Sequence, residues 1–433
     1  MSNHKFPRRT ALTGSAAAVA TLGMASCGVG GGSTESDPGS GEVTGSISFQ
    51  TWNLKGGYEE YFTALIDAFT EEYPGTEVEW IDQPAEGYQD SLSADAAAGN
   101  LPDVVDMGPE AAYSLASAGM LLDLADTDPA LADQFLPSAW QAMTFDGLGG
   151  GTYGFPWYLN TGPSFFNTAL FEEAGLDPDD LPQTYEELFE QAAAMAESSD
   201  ASMIGRLPAI ENFGTYGVEL MNEDGTAFTF NEPRGVELLQ HYVDLYQGQG
   251  FTEESLNALQ TGELDSFKSG ELGWLPGSSY TMSELRETAP EVYESVAVAP
   301  AISDVAPNMY IEALTINAES NNQATALAFA AFVTNPDNQM EFAKQASVFP
   351  STAGALDDEY FTEDDGSDDG AIRVQSAAQV KEAVVWWPPA FSGESSAEYL
   401  REQIAQAVLG QKTPQEALDA TVDYADQRLE TRS

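Results

Sequence analysis

Positive charge is what this 433-residue chain has least of: Lys and Arg number 15 against 70 Asp and Glu, a formal net charge of -55. A field of that sign repels DNA, RNA and anionic membrane surfaces, which excludes nucleic acid as a partner. Cysteine is almost absent. Cys27 stands alone, so no intrachain disulfide and no thiolate metal cluster can form, and a cysteine nucleophile is not available. Histidine is confined to His4 and His241, which leaves a Ser-His-Asp triad or a multi-histidine metal site only His241 to draw on in the mature chain. It follows Gln240 and precedes Tyr242 on an amphipathic stretch and reads as structural.

What remains is not a disordered polyanion. Aromatic residues make up 11% of the chain and hydrophobic residues 42%, enough for a core in each of two ordinary domains. Acid on a folded surface points to hydration at high salt, where screening over a few Å removes most self-repulsion, and hence to a halophilic source.

Residues 1–27 read as an export signal. Lys5, Arg8 and Arg9 form a basic start, Ala11 to Ala25 is a weakly apolar run too short to span a bilayer, and Cys27 closes it. Met24-Ala25-Ser26-Cys27-Gly28 resembles a bacterial lipobox with Met24 in place of the usual Leu, and Arg8-Arg9 resembles a twin-arginine signal with Ala11 in place of Phe. General secretion and twin-arginine export both fit. A lipid at Cys27 would supply the two acyl chains that stable anchoring needs. Residues 28–46, rich in Gly, Ser, Thr and acids, read as a flexible tether of roughly 25 Å.

Beyond the tether the hydrophobic period alternates between two and 3.6. Ile47, Phe49 and Thr51 read as a strand ending at Trp52. Tyr58, Phe62, Leu65, Phe69 and Tyr73 then share a helical face that Pro74-Gly75 stops. Val78 and Trp80 mark a second strand with Trp80 in the core, and Leu101 to Met107 a third. A helix follows from Pro109 to Ala118 with Gly119 as its C-cap. This order predicts an α/β fold with parallel pairs, whose ligands bind beyond the C-terminal strand ends. Further on, Thr184 to Glu187 forms a capping box, Pro233 opens a helix, 264–277 reads as helix, turn and strand, and Ile311 to Ile316 as a strand. Asn321 to Val333 is helical, 357–369 an irregular acidic loop without calcium-loop spacing, and two capped helices end the chain.

The organising stretch is Tyr153 to Asn167, YGFPWYLNTGPSFFN. Its glycines and prolines forbid a long helix and its aromatics are too apolar for a surface loop, so it reads as a crossover whose aromatics face the space between two lobes. With the Trp52-ended strand, Gly99-Asn100-Leu101-Pro102-Asp103-Val104-Val105, Tyr153 to Pro156, Phe165-Phe166-Asn167 and the Phe267 to Glu271 turn, the chain resembles the family 1 extracellular solute-binding proteins of ABC importers, the sugar-binding group related to maltose-binding protein. The resemblance implies a two-lobed periplasmic-binding-protein-like α/β fold with hinge crossovers, a first lobe of 47–157 plus 312–350, and a second of 158–311 plus 351–433. It implies no cofactor and no metal. It also implies a monomer that takes a carbohydrate ligand outside the cell membrane and hands it to ABC permease subunits.

A sugar site needs flat aromatic surfaces plus hydrogen-bonding side chains. Positions that match the family are Trp52, Asn53, Lys55, Tyr88, Asp106 and Glu110 on the first lobe's rim, and Trp157, Tyr158 and Asn160 at the crossover. Phe213, Tyr216, Trp274, Tyr280, Tyr310, Trp386 and Trp387 follow from the later chain. Each competes with a role in the core. Lys55 stands out as the only Lys or Arg between Arg9 and Arg206, and serves as a ligand donor or in a local salt bridge. The rival functions are a secreted glycosidase with two carboxylates, and a binding protein for a non-sugar solute.

Overall fold

The computed structural model describes residues 41–125, 127, 129–251, 254–257, 260–391 and 394–430; the export signal and Cys27 lie outside them. Its strands in chain order are β1 (Gly45–Trp52), β2 (Thr76–Gln83), β3 (Val104–Met107), β4 (Thr144–Phe145), β5 (Gly151–Thr152), β6 (Phe155–Asn160), β7 (Ser164–Asn167), β8 (Trp274–Pro276), β9 (Val296–Ala299), β10 (Tyr310–Ile316) and β11 (Phe349–Pro350).

Six of them form one sheet in the order β11-β6-β10-β3-β1-β2. β1 pairs in parallel with β2 and β3, and the helices Lys55–Glu72 and Tyr88–Ala97 make the crossovers. β10 returns from much later in the chain and runs antiparallel between β3 and β6. The helix Lys55–Glu72 buries Tyr61, Phe62, Leu65 and Phe69, close to the face read from the sequence. Against it pack Phe49, Trp157, Phe329 and Phe342, each of whose rings contributes about 1.5–3 kcal/mol by leaving water. The first turn of this helix has no side-chain cap of its own. Instead Asp82, at the end of β2, accepts from the Leu54 and Lys55 N–H groups at 3.1 and 3.0 Å and from the Thr51 hydroxyl at 2.7 Å.

The second sheet is small and antiparallel, β8-β7-β9, and helices surround it. The Thr184–Glu187 capping box is present at the start of the helix Tyr185–Ser198, and Pro233 opens the helix Pro233–Gln247. His241 lies flat on Phe189, ring centroids 4.7 Å apart.

Four local expectations need correction. The Tyr153–Asn167 segment is two strands, one in each sheet, and Phe155, Trp157, Phe165 and Phe166 are buried. Covered sheet faces take these rings into cores, so they do not face an inter-lobe space. The third strand begins at Val104, later than read, because Asp103 turns its carboxylate onto the Ser48 N–H and hydroxyl, both at 2.8 Å. The acidic stretch 357–369 is not one irregular loop. It starts two helices, Glu359–Thr362 capped by Asp358 and Asp368–Val380 capped by Ser367, where acids favour the first turn. Trp80 is only half-buried: its indole donates to the Thr51 hydroxyl at 2.9 Å and the Lys55 ammonium lies 5.3 Å from its ring centre.

Candidate functional site

Where β6 passes to β7, Gly162 approaches Gly277 so closely that a Cβ on it would lie 1.7 Å from the Gly277 carbonyl oxygen. Beside this backbone contact opens a cavity of about 680 Å³. Its wall includes Asn160, Thr161, Tyr185, Arg206, Glu211, Asn212, Glu263, Lys268, Trp274, Tyr280, Glu284 and Tyr310. A second cavity of about 470 Å³ shares Asn160, Thr161, Ser278 and Tyr280 with it and continues to Ser347, Tyr360 and Arg373.

Aromatic surface is available here in the form a sugar needs. Tyr280 is 75% exposed and Tyr310 50%, while Trp274 is nearly buried and fixed by donating its indole N–H to the Ser164 hydroxyl at 2.9 Å. The polar groups are held between opposite charges. Arg206 donates from Nε to Glu263 Oε2 at 2.9 Å, and Glu211 accepts a long contact from the Tyr310 hydroxyl at 3.5 Å. Burial by itself would make Arg206 easier to deprotonate, but Glu263 and Glu211 more than offset it and raise its pKa. Burial raises Glu263 and Glu211 as well, with Arg206 opposing. Glu211 Oε2 and Glu263 Oε1 are buried without a hydrogen-bond partner. Lys268 is shared by Asp265 at 3.1 Å and Glu284 at 2.8 Å.

β10 connects this cavity to the rim of the larger sheet. Tyr310 lies opposite Asn160 and Glu312 opposite Tyr158, so Tyr310 and Glu312 point the same way about 7 Å apart along the strand. Glu312 meets Asp106, which is 0% exposed and whose carboxylate finds no hydrogen-bond partner among the described residues apart from Glu312. Burial first, then the negative charges of Glu312 and Asp82, raise Asp106 well above the usual carboxylate range. Burial raises Glu312 to about 8 against the opposing hydrogen bonds of Trp52 and Asp106. Two carboxyls in contact hold a proton between them at neutral pH. Around them stand Trp52 and Tyr88, ring centres 6.0 Å apart, with Tyr88 donating to the Asp106 carbonyl at 2.7 Å. Tyr158 feels the charges of Asp106 and Glu312, and burial keeps its phenol protonated.

The structure therefore brings together two groups of the residues read from the sequence: Asn160, Trp274, Tyr280 and Tyr310 around the cavity, and Trp52, Tyr88, Asp106 and Tyr158 on the rim. Glu110 lies in the first turn of the helix Pro109–Ser117. Asn53 is exposed with φ of 53°. Lys55 is half exposed, 4.0 Å from Glu59. Trp157 and Phe213 are 0% exposed and Tyr216 3%; the first stacks on Phe342, the second packs on Phe230, and the third lies under the Arg234 guanidinium. These three rings are enclosed in cores. Trp386 covers Gly214 and donates to the Ala306 carbonyl at 2.7 Å, and Trp387 packs on Phe391. Sequence reasoning passed over Arg206, Glu211, Glu263 and Glu312. Arg206 is likewise isolated in the sequence, its nearest basic neighbours being Lys55 and Arg234.

Among the described residues no helix is long and apolar enough to cross a membrane, and no group of His, Cys, Asp and Glu is arranged to hold a metal ion. Residues 55–340 match the family described as bacterial extracellular solute-binding protein. The chain belongs to that family. Among its relatives, a sn-glycerol-3-phosphate-binding periplasmic protein of Shigella dysenteriae is 22% identical over 437 residues, covering 90% of this chain and 94% of that one. A periplasmic-binding protein of Synechococcus sp. MITs9220 is similar in structure, with a TM-score of 0.77 and 25% identity over 89% of this chain and 99% of the other. The cyclic alpha-maltosyl-1,6-maltose binding protein of Arthrobacter globiformis superposes with a TM-score of 0.70 at 20% identity, over 89% and 99% of the two chains. The two-lobed solute-binding fold is thus established for this solute-binding protein, with the carboxyl pair joining β3 to β10 and Tyr310 of β10 in the cavity wall.

Proposed function

We propose that the protein captures a sugar or oligosaccharide outside the cell membrane and delivers it to an ABC permease. The observation that carries this reading is the pair of exposed rings, Tyr280 and Tyr310, set beside Arg206, Glu211 and Asn212 in one cavity. Rings take the C–H faces of a sugar, and the polar groups take its hydroxyls. Candidate ligand contacts are Asn160, Trp274, Tyr280 and Tyr310 on one side and Trp52, Tyr88, Asp106 and Tyr158 on the other.

In this reading residues 47–157 plus 312–350 form one lobe and 158–311 plus 351–433 the other. A ligand that touches both favours the closed arrangement, which the permease reads. The domain works as a monomer in high salt, exported and tethered through a lipid on Cys27. Cys27→Ser should release it into the medium in cell fractionation.

A phosphorylated ligand, as the name of the Shigella relative describes for that protein, fits less well. Arg206 and Lys268 are the two cations lining the cavity, and four carboxylates, Glu211, Glu263, Asp265 and Glu284, face them. A phosphate would find no uncommitted positive charge. A glycosidase reading draws no support from the Asp106–Glu312 pair, because catalytic carboxylates stand about 5–10 Å apart to admit the sugar carbon, whereas these touch.

The test is thermal unfolding of the domain after Cys27 in molar salt against mono- and oligosaccharides, with each sugar checked afterwards for hydrolysis. A ligand at a hundredfold excess over Kd adds about 2.7 kcal/mol of stability. A shift with intact sugar supports the reading. No shift with any sugar assigns the cleft to another solute, and degraded sugar assigns it to an enzyme.

A further inference from the structure

Acid on this protein's surface needs no local explanation, since 70 Asp and Glu keep it hydrated. Buried acid does. Asp106 is 0% exposed and its carboxylate finds no partner among the described residues apart from Glu312, whose Oε2 is buried beside it. Desolvating a carboxyl pair that has no cation beside it destabilises the fold, and an acidic surface gains nothing from it. Among the described residues no Lys or Arg relieves the pair: Lys55, the nearest cation in sequence to the rim, extends past Trp80 toward Glu59. The walls of the site are the rings of Trp52, Tyr88 and Tyr158. Carboxylates within a ring of aromatic faces form the chemistry that receives an organic cation, by charge and by the negative face of each ring. Neutral hydroxyls would be served by amides and a single acid.

We propose that the captured solute carries an amino group, and that the Asp106–Glu312 pair, walled by Trp52, Tyr88 and Tyr158, receives it as an ammonium ion. The inference rests on the sugar reading and narrows it to an amino sugar or aminated polyol. On binding, the ammonium takes the place of the proton held between the two carboxyls, and that proton leaves to solvent. Charge is conserved: a singly charged pair plus a cation becomes a doubly charged pair with its cation, and one proton is released. The cavity that β10 reaches through Tyr310 has the same sign, four carboxylates to two cations, and repels an anionic ligand.

The experiment is isothermal titration calorimetry of the domain in molar salt at pH 7. The probes are D-glucose, D-glucosamine and N-acetyl-D-glucosamine, the galactose series, sorbitol against N-methylglucamine, and choline as an ammonium without a sugar. In at least one series the aminated member should bind at least tenfold tighter than both its neutral and acetylated partners, and release close to one proton when two buffers of different ionisation enthalpy are compared. Asp106→Asn and Glu312→Gln should each abolish that preference, with circular dichroism confirming the fold. The wild-type proton count stands if either variant fails to fold. Neutral sugars binding as tightly as aminated ones, or an aminated ligand binding with no proton released, overturns the ammonium site and leaves the sugar reading intact. Choline binding with no sugar bound overturns the sugar reading and keeps the ammonium site. A panel without any binding overturns both.

Discussion

Arg206 donates its Nε–H to Glu263 at 2.9 Å in the wall of the larger cavity, and its charge opposes the upward shift that burial gives Glu211. The side chain thus holds Glu263 in place and offsets the charge of Glu211, two buried acids in the cavity that Trp274 and Tyr310 also line. Arg206→Ala should leave both acids buried and uncompensated and cost about 3–5 kcal/mol of stability, read by urea denaturation. Arg206→Lys should restore only part of the loss, since an ammonium does not reproduce the guanidinium's directed donors.

Tyr280 separates ligand binding from stability. At 75% exposure it supports nothing in the fold, yet it borders both cavities. Tyr280→Ala should leave the unliganded unfolding midpoint within about 1 °C while sugar affinity falls about tenfold, the worth of one aromatic face at about 1–1.5 kcal/mol. A lowered midpoint with unchanged affinity would place the ring in the fold and not in the site.

Much of the fold was legible because helix faces and caps are local. The Tyr58–Tyr73 face, the Thr184–Glu187 box and Pro233 each specify their element within a few residues. Asp106 was legible for a topological reason, as the end of a parallel strand. Glu312 was not, since only the return of β10 across the sheet brings it to Asp106, and no local period records that pairing. Trp157 misled in the opposite direction. With glycine and proline on both sides it reads as part of a crossover facing the space between two lobes, but its ring fills the core beside Phe342.

Gly162 tests the backbone on which the cavity rests. No Cβ can occupy a place 1.7 Å from the Gly277 carbonyl oxygen, and Gly277 is itself held by its N–H to the Pro163 carbonyl at 2.8 Å. Gly162→Ala must therefore part β7 from the turn after β8. A loss of about 1–3 kcal/mol is expected in denaturation, with weakened sugar binding, because Ser278 and Tyr280 follow directly on that turn.

The pH dependence of stability carries a sign opposite to that of an ordinary salt-bridged acid. Glu312 titrates at about 8 in the folded protein and near its ordinary value of 4.5 when unfolded, so between those values the folded state binds more protons. Stability from this group is therefore fully present below about pH 4.5 and is lost as pH rises toward 8. Asp106 moves the same way, and the groups around the pair do not reverse the trend: Asp82 adds negative charge, and the phenols of Tyr88 and Tyr158 stay protonated throughout. Glu211 and Glu263 shift upward too, so the whole crossover region favours the acid side. Unfolding midpoints of the wild-type domain should fall from pH 5 to pH 8 at constant molar salt. Glu312→Gln, which keeps a neutral group of the same shape, should flatten that slope and exceed the wild type at pH 8. A slope unchanged in this variant would mean that the carboxyl pair is not the titrating element, and would return the pH dependence to the surface acids.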